Sequence, residues 1–167
     1  SVGQITGLTA QIRQCLSPEA LIAVDQEGGR VTRLPRDQVT SFSGNMELAA
    51  CPGDERMPLA RAMGAAQGEE LFALGINVNF APTLDVNSNP QNPVINVRAF
   101  SDDPALVAAL GAEVVGGLQS AGVAAAVKHF PGHGDTSLDS HTHLPCVLRD
   151  RQSAERVDLA PFAEVIS

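Results

Sequence analysis

All four histidines of this 167-residue chain, His129, His133, His141 and His143, lie within fifteen consecutive residues, and its single lysine, Lys128, stands directly before the first of them. Two chemistries fit that spacing. His133, Asp135, Asp139, His141 and His143 contain H-x-H and D-x-H spacings whose nitrogen and oxygen donors suit a metal ion. Alternatively, Asp139-Ser140-His141 is an acid/base dyad in which the carboxylate orients the imidazole and stabilises its protonated form. Imidazole ordinarily titrates near neutrality, so such a group both donates and accepts a proton at physiological pH. The intervening Pro131-Gly132-His133-Gly134-Asp135 has the glycine freedom needed to fold back over whatever lies beneath it.

A second group of chemically useful residues begins at Asp25, followed by Glu27-Gly28-Gly29-Arg30 and Arg33. An ordinary aspartate–arginine ion pair at a strand end would account for any one of these. Taken with Arg98 and Lys128, they form one carboxylate and several fixed donors, a set that grips a polyhydroxylated ligand. The chain has no Trp and no Tyr, so broad stacking platforms for long polysaccharides are missing and a small pocketed sugar is favoured. Phe42, Phe72, Phe80 and Phe162 are read as core, while Phe100 and Phe130 flank the polar segments and are left unassigned.

The elements that position these residues follow from periodicity. Leu21-Ile22-Ala23-Val24 is a short apolar run ending at Asp25, the pattern of a parallel strand buried on both faces. Residues 55–74 carry apolar positions at helical spacing, with Asp54 as N-cap and Gly75 as the stop. A strand over 76–81 then runs into Pro82 and an Asn/Pro-rich loop. A second helix spans 104–121, with Asp103 as N-cap, Pro104 at its first position and Gly122 after it. A third strand covers 123–127, and residues 149–167 are helical with a break near Pro161. The order βαβαβα with right-handed crossovers makes the strands parallel, so Asp25, Pro82 to Asp85, and Lys128-His129 face one mouth.

Composition narrows the partners. Eleven Lys and Arg against nineteen Asp and Glu give a formal charge of −8, which repels phosphate backbones and anionic lipid surfaces, so neither nucleic acid nor a membrane is expected. No apolar run reaches the length of a membrane span, and no secretory leader is recognisable. Cys15, Cys51 and Cys146 are odd in number and never paired as C-x-x-C, which fits a reducing, cytoplasmic compartment.

Four ordered motifs now stand out: VDQEGGRVTRL at 24–34, GINVNFAPTLDV at 75–86, INVRAFSDDP at 95–104 and KHFPGHGDTSLDSH at 128–141. Together they resemble family 3 glycoside hydrolases, in the β-N-acetylhexosaminidase branch, over residues 20–145. The resemblance implies an α/β fold, a TIM (β/α)8 barrel with its active site at the carboxyl ends of the strands. It further implies that Asp25, Arg33, Arg98, Lys128 and His129 bind a non-reducing N-acetylglucosamine, and that His141, supported by Asp139, is the acid/base. The implied activity is retaining exo-β-N-acetylglucosaminidase chemistry on small glycosides such as muropeptides in peptidoglycan recycling, without cofactor or metal. The alternatives are a phosphorylase on the same scaffold and a non-catalytic sugar-binding fragment.

The family's carboxylate nucleophile belongs to an S-D-D-L-type motif well downstream of the D-S-H loop. Ser101-Asp102-Asp103 mimics it, but precedes Pro104 and opens a helix, and so is read as a cap. With three strands where a barrel needs eight, residues 1–167 are expected to form a central part of the barrel, lacking the first strands and the late strands that carry the nucleophile.

Overall fold

Three short parallel strands carry the sheet. The computed structural model describes residues Ser1–Ser167 and orders β1 (Ala23–Val24), β2 (Val78–Asn79) and β3 (Ala124–Ala125) side by side as β1-β2-β3. Ala23 pairs with Val78 and Asn79 with Ala125. The ladder continues beyond the regular strands: Phe80 N–H donates to the Val24 carbonyl at 2.8 Å, Ala126 N–H to Asn79 at 2.8 Å, and Leu84 N–H to Lys128 at 2.7 Å. The parallel sense brings the carboxyl ends of all three strands to one side, as the sequence pattern requires.

The two asparagines of the second motif extend this ladder with their side chains. Asn79 Oδ1 accepts the Gln26 N–H at 3.0 Å and its Nδ2 donates to the Gln26 carbonyl at 2.9 Å. Asn77 does the same one step earlier, accepting from Ile22 N–H at 2.8 Å and donating to the Ala20 carbonyl at 3.1 Å. Both carboxamides therefore stand in for a peptide unit and fix the path of the chain on either side of β1.

Helices cover the sheet: α1 (Val2–Cys15), α2 (Asn45–Ala49), α3 (Arg56–Ala73), α4 (Pro104–Ser120), α5 (Arg151–Val157) and α6 (Ala160–Ile166). In α4 the Asp103 carboxylate accepts the Ala105 N–H at 3.0 Å and Pro104 opens the helix, so the S-D-D segment is a cap. Gly75 and Gly122 end α3 and α4 with φ of 76° and 81°. α3 and α4 pack at backbone distance, because a Cβ on Gly64 would overlap the Val114 carbonyl oxygen and one on Gly117 that of Arg61. Around this contact Leu71, Leu110 and Leu118 are fully buried, sites where truncation to alanine costs about 2–5 kcal/mol.

The structure departs from the sequence reading in several places. α3 begins at Arg56 behind Glu55, with no side-chain cap, so Asp54 does not cap it. β1 is not buried on both faces: Leu21 is 80% exposed and Ala23 is exposed, since β1 lies at the outer edge of the sheet. Phe72 is 61% exposed on the outer side of α3, and Phe80 is also exposed, whereas Phe100 is core. Phe162 is buried as read, and Phe42 packs against the core from a partly buried position. α1 and α2 had no counterpart in the reading, although Ser1 and Gln4 form a capping box at the start of α1. The break near Pro161 falls between α5 and α6, with Pro161 in the first turn of α6. No helix is long and apolar enough to cross a membrane.

Candidate active site

The strand ends deliver a chain of charges. Lys128, where the strand 3 ladder ends, places Nζ 2.6 Å from Asp25 Oδ1 and 2.6 Å from Glu27 Oε1. Glu27 also takes a two-pronged bond from Arg98, Nε to Oε2 at 2.9 Å and Nη2 to Oε1 at 2.8 Å. Arg98 sits on the single 3₁₀ turn Asn96–Arg98, and its Nη2 lies 3.2 Å from His129 Nε2. The other ring nitrogen, Nδ1, is 2.5 Å from Asp85 Oδ2. A guanidinium only donates, so His129 Nε2 accepts from Arg98 and the Nδ1–H donates a hydrogen bond to Asp85.

Burial makes this chain rigid. The Glu27 side chain is 3% exposed and that of Asp85 0%. Burial alone would push both carboxyls up. For Glu27 the Arg98 and Lys128 bonds more than offset it, and for Asp85 the His129 ring with the His133 and His129 backbone N–H groups does so; both carboxyls lie below their ordinary values. Arg98 loses hydration, yet Glu27 holds its guanidinium charged more firmly than in water. Asp85 is thus a hub, accepting from the His133 N–H at 2.6 Å and the His129 N–H at 3.3 Å besides the ring.

Above this floor stands the Asp139–His141 pair, with His141 Nδ1 2.7 Å and its backbone N–H 2.8 Å from Asp139 Oδ1. The His141 side chain is 78% exposed. The backbone N–H and then the ring of His141 lower the Asp139 carboxyl. A carboxylate only accepts here, so the proton of His141 sits on Nδ1 and Nε2 is left for external chemistry.

All seven residues singled out in the sequence, Asp25, Arg33, Arg98, Lys128, His129, Asp139 and His141, line one cleft of about 760 Å³, together with Glu27, Arg30, Phe80 and His133. Asp25 pairs with Lys128 and not with an arginine; Arg33 and Arg30 enter the cleft without a carboxylate partner. Two residues escaped the sequence reading. Glu27 was visible only as part of the D-x-E-G-G-R segment, and Asp85 only as the end of the loop placed at the mouth. Phe80, read as core, gives the cleft an apolar wall. A second cleft of about 670 Å³ lies behind the Glu27–Arg98 pair and contains none of the histidines.

The donor set of the metal alternative does not converge. Asp135 is held by Arg149 at 2.9 Å, His143 Nδ1 is 2.8 Å from the Thr142 hydroxyl, and His133 bonds to the hydroxyls of Thr136 and Ser140. No three His, Cys, Asp or Glu side chains gather in a metal-binding arrangement.

Comparison with known proteins agrees with this geometry. Residues 3–167 match the model for the glycosyl hydrolase family 3 N terminal domain. Beta-hexosaminidase A of Pseudoalteromonas piscicida is 57% identical over 145 residues, which are 87% of this chain and 24% of that protein. The family 3 beta-N-acetylglucosaminidase of Paenibacillus sp. str. FPU-7 superposes with a TM-score of 0.91 at 51% identity, over 99% of this chain and 31% of its own. NagZ from Neisseria gonorrhoeae, in complex with N-trifluoroacetyl-D-glucosamine, gives a TM-score of 0.92 at 36% identity, over 98% of this chain and 49% of its own. The chain thus spans between about a quarter and a half of these three relatives, and its open three-stranded sheet is part of their α/β barrel-like domain. Motifs, sheet and cleft converge on one assignment: the chain belongs to glycosyl hydrolase family 3.

Proposed function

We propose that this chain carries the sugar-binding floor and the acid/base of a retaining exo-β-N-acetylglucosaminidase. The observation that carries the reading is the single cleft that joins a buried grid of carboxylates and cations to an exposed aspartate–histidine pair with a free Nε2. The N-acetylglucosamine analogue bound by NagZ supports the choice of sugar.

The floor has unspent valences that fit sugar hydroxyls. Lys128 has three N–H groups, of which Asp25 and Glu27 take two, leaving one to donate. Asp25 bonds through Oδ1, leaving Oδ2 to accept, and the Arg33 guanidinium is unpaired. In the first step a protonated His141 gives the proton on Nε2 to the leaving oxygen as the glycosidic C–O bond breaks and a carboxylate bonds to the anomeric carbon. In the second, water attacks that carbon, Nε2 takes its proton and the carboxylate leaves. The S-D-D segment that mimics the family's nucleophile motif serves as the cap of α4, so we assign the nucleophile to residues outside these 167.

The finer reading is an enzyme acting on muropeptides from peptidoglycan recycling, which rests on the family resemblance, in the cytoplasm, a reducing compartment that three free cysteines fit. The test is hydrolysis of 4-nitrophenyl β-N-acetylglucosaminide by the full-length enzyme, with the product anomer followed by NMR and a muropeptide offered in parallel. Release of the β-anomer supports retention. Release of the α-anomer, or sugar binding without turnover, sinks the reading, and turnover of simple glycosides with no muropeptide cleavage removes only the recycling role.

A further inference from the structure

The loop that carries Asp139 and His141 has a fixed root and a thinly attached tip. At the root, Asn92 Nδ2 donates to the carbonyls of His133 at 2.8 Å and Gly134 at 3.1 Å. Gly134 lies so close to the Val86 carbonyl that a Cβ there would overlap its oxygen. Arg149 closes the far end, 2.9 Å from Asp135 Oδ2 and 3.4 Å from Asp158 Oδ2. Between these anchors, the hydrogen bonds of residues 137–148 are internal to the segment with one exception, His133 Nε2 to Ser140 Oγ at 2.9 Å. Ser140 is the central residue of the D-S-H tripeptide.

We propose that His133 is a positioning residue for the acid/base: its ring is the strut that sets where His141 stands over the cleft. The proposal rests on the reading of this cleft as a glycosidase site. The ring is itself well placed for the task. Its backbone N–H is held by the buried Asp85 at 2.6 Å, and its plane meets that of His129 edge-on with centroids 6.0 Å apart. Thr136 Oγ1 lies 2.7 Å from His133 Nδ1, and the same hydroxyl donates to the His133 carbonyl at 3.1 Å. With that single proton committed, Thr136 accepts from Nδ1–H, which leaves the Nε2 lone pair to accept the Ser140 hydroxyl. Both ring nitrogens are thereby used to orient the strut. Asp85 consequently steers both sides of the cleft, the sugar-facing His129 through one oxygen and the loop through the other.

The role is that of a part that acts through another, so its signature is selective. Displacing a general acid hurts most where the leaving group needs the proton most, and small misplacements carry large kinetic penalties. In the full-length enzyme, kcat/KM is measured for a series of aryl β-N-acetylglucosaminides of rising phenol pKa, for wild type, His133→Ala, Ser140→Ala and the double variant. The expected loss for the poorest phenol is about tenfold larger than for the most acidic one in each variant, with the double variant no worse than the more damaged single, because both remove the same bond. Equal losses across the series, or additive losses in the double variant, overturn the strut. Should His133→Ala fail to fold, Ser140→Ala decides alone, since its side chain is exposed. A wild-type enzyme that hydrolyses none of the glycosides overturns the glycosidase reading and this inference with it, an outcome distinct from a flat series in an active enzyme.

Discussion

The cleft holds two aspartate–histidine pairs of nearly equal length and opposite construction. Asp85–His129, at 2.5 Å, is sunk beneath the strand ends, and its second ring nitrogen is occupied by Arg98. Asp139–His141, at 2.7 Å, stands on an exposed loop with its second nitrogen free. The same two side chains thus serve different ends according to what the far nitrogen meets. Where a guanidinium caps it, the imidazole is fixed in place with no free nitrogen; where nothing caps it, one nitrogen is open to the acid and base roles of the proposed reaction. The deep pair is bound into Glu27, Arg98 and Lys128, so its precision comes from buried, mutually satisfied charges. The outer pair owes its placement to a local carboxylate and to His133.

Substitutions separate the two pairs. The largest effect is expected from His141→Ala, which should lower kcat/KM of the full-length enzyme for unactivated glycosides about 10²- to 10⁴-fold while leaving thermal stability close to wild type. His129→Ala should instead weaken substrate binding and stability together, seen as a raised KM and a lowered melting temperature. Next in size is Glu27→Ala, which strands Arg98 and Lys128 without their shared partner; denaturant unfolding of this chain should show a loss of about 3–5 kcal/mol.

Acid provides a subtler separation. Glu27 and Asp85 lie below their ordinary values in the folded protein, so the folded state binds fewer protons than the unfolded chain. The stability they contribute is whole above roughly pH 4–5 and is lost as pH falls through their folded values. Stability measured from pH 6 down to pH 3 should therefore fall less steeply in Asp85→Asn than in wild type. The smallest effect belongs to Asp139→Asn. Its carboxyl is lowered too, but by bonds to His141 two residues away, which stay within reach in the unfolded chain, so the acid limb of the stability curve should change less than in Asp85→Asn while kcat/KM for poor leaving groups drops. An acid limb flattened as much in Asp139→Asn as in Asp85→Asn would erase the distinction between the two pairs.

Much of this site can be read from the chain itself, because its chemistry is local. The D-S-H spacing places a carboxylate two residues before an imidazole, close enough to bond without help from the fold, and the structure shows that bond. The Asp103 cap, Pro104 and the glycines after α3 and α4 mark helix ends by backbone requirements that hold anywhere. The strand ends could be ordered because the first and third runs stop at the charged Asp25 and Lys128 and the second at Pro82. Long-range choices were not legible in the same way. Nothing in the spacing of Glu27 says that it, and not only Asp25, will meet Lys128 a hundred residues later, and Asp85 resembles any polar residue in a proline-rich loop. Phe72 and Phe80 carry the same hydrophobicity as Phe100 and Phe162; exposure differs only because of which faces the neighbouring helices cover.

The sequence alone determined the parallel α/β order, the Asp103 cap and the glycine stops of α3 and α4, the family, and the Asp139–His141 contact, since each depends on residues near one another in the chain. Tertiary structure alone decided which carboxylate stands at the centre of the charge grid, which ring nitrogen of His129 carries the proton, and that His133 braces the loop above it. These depend on the parallel register of three strands, which brings Lys128 to Asp25 and Glu27, and His129 to Asp85, from segments far apart in the chain.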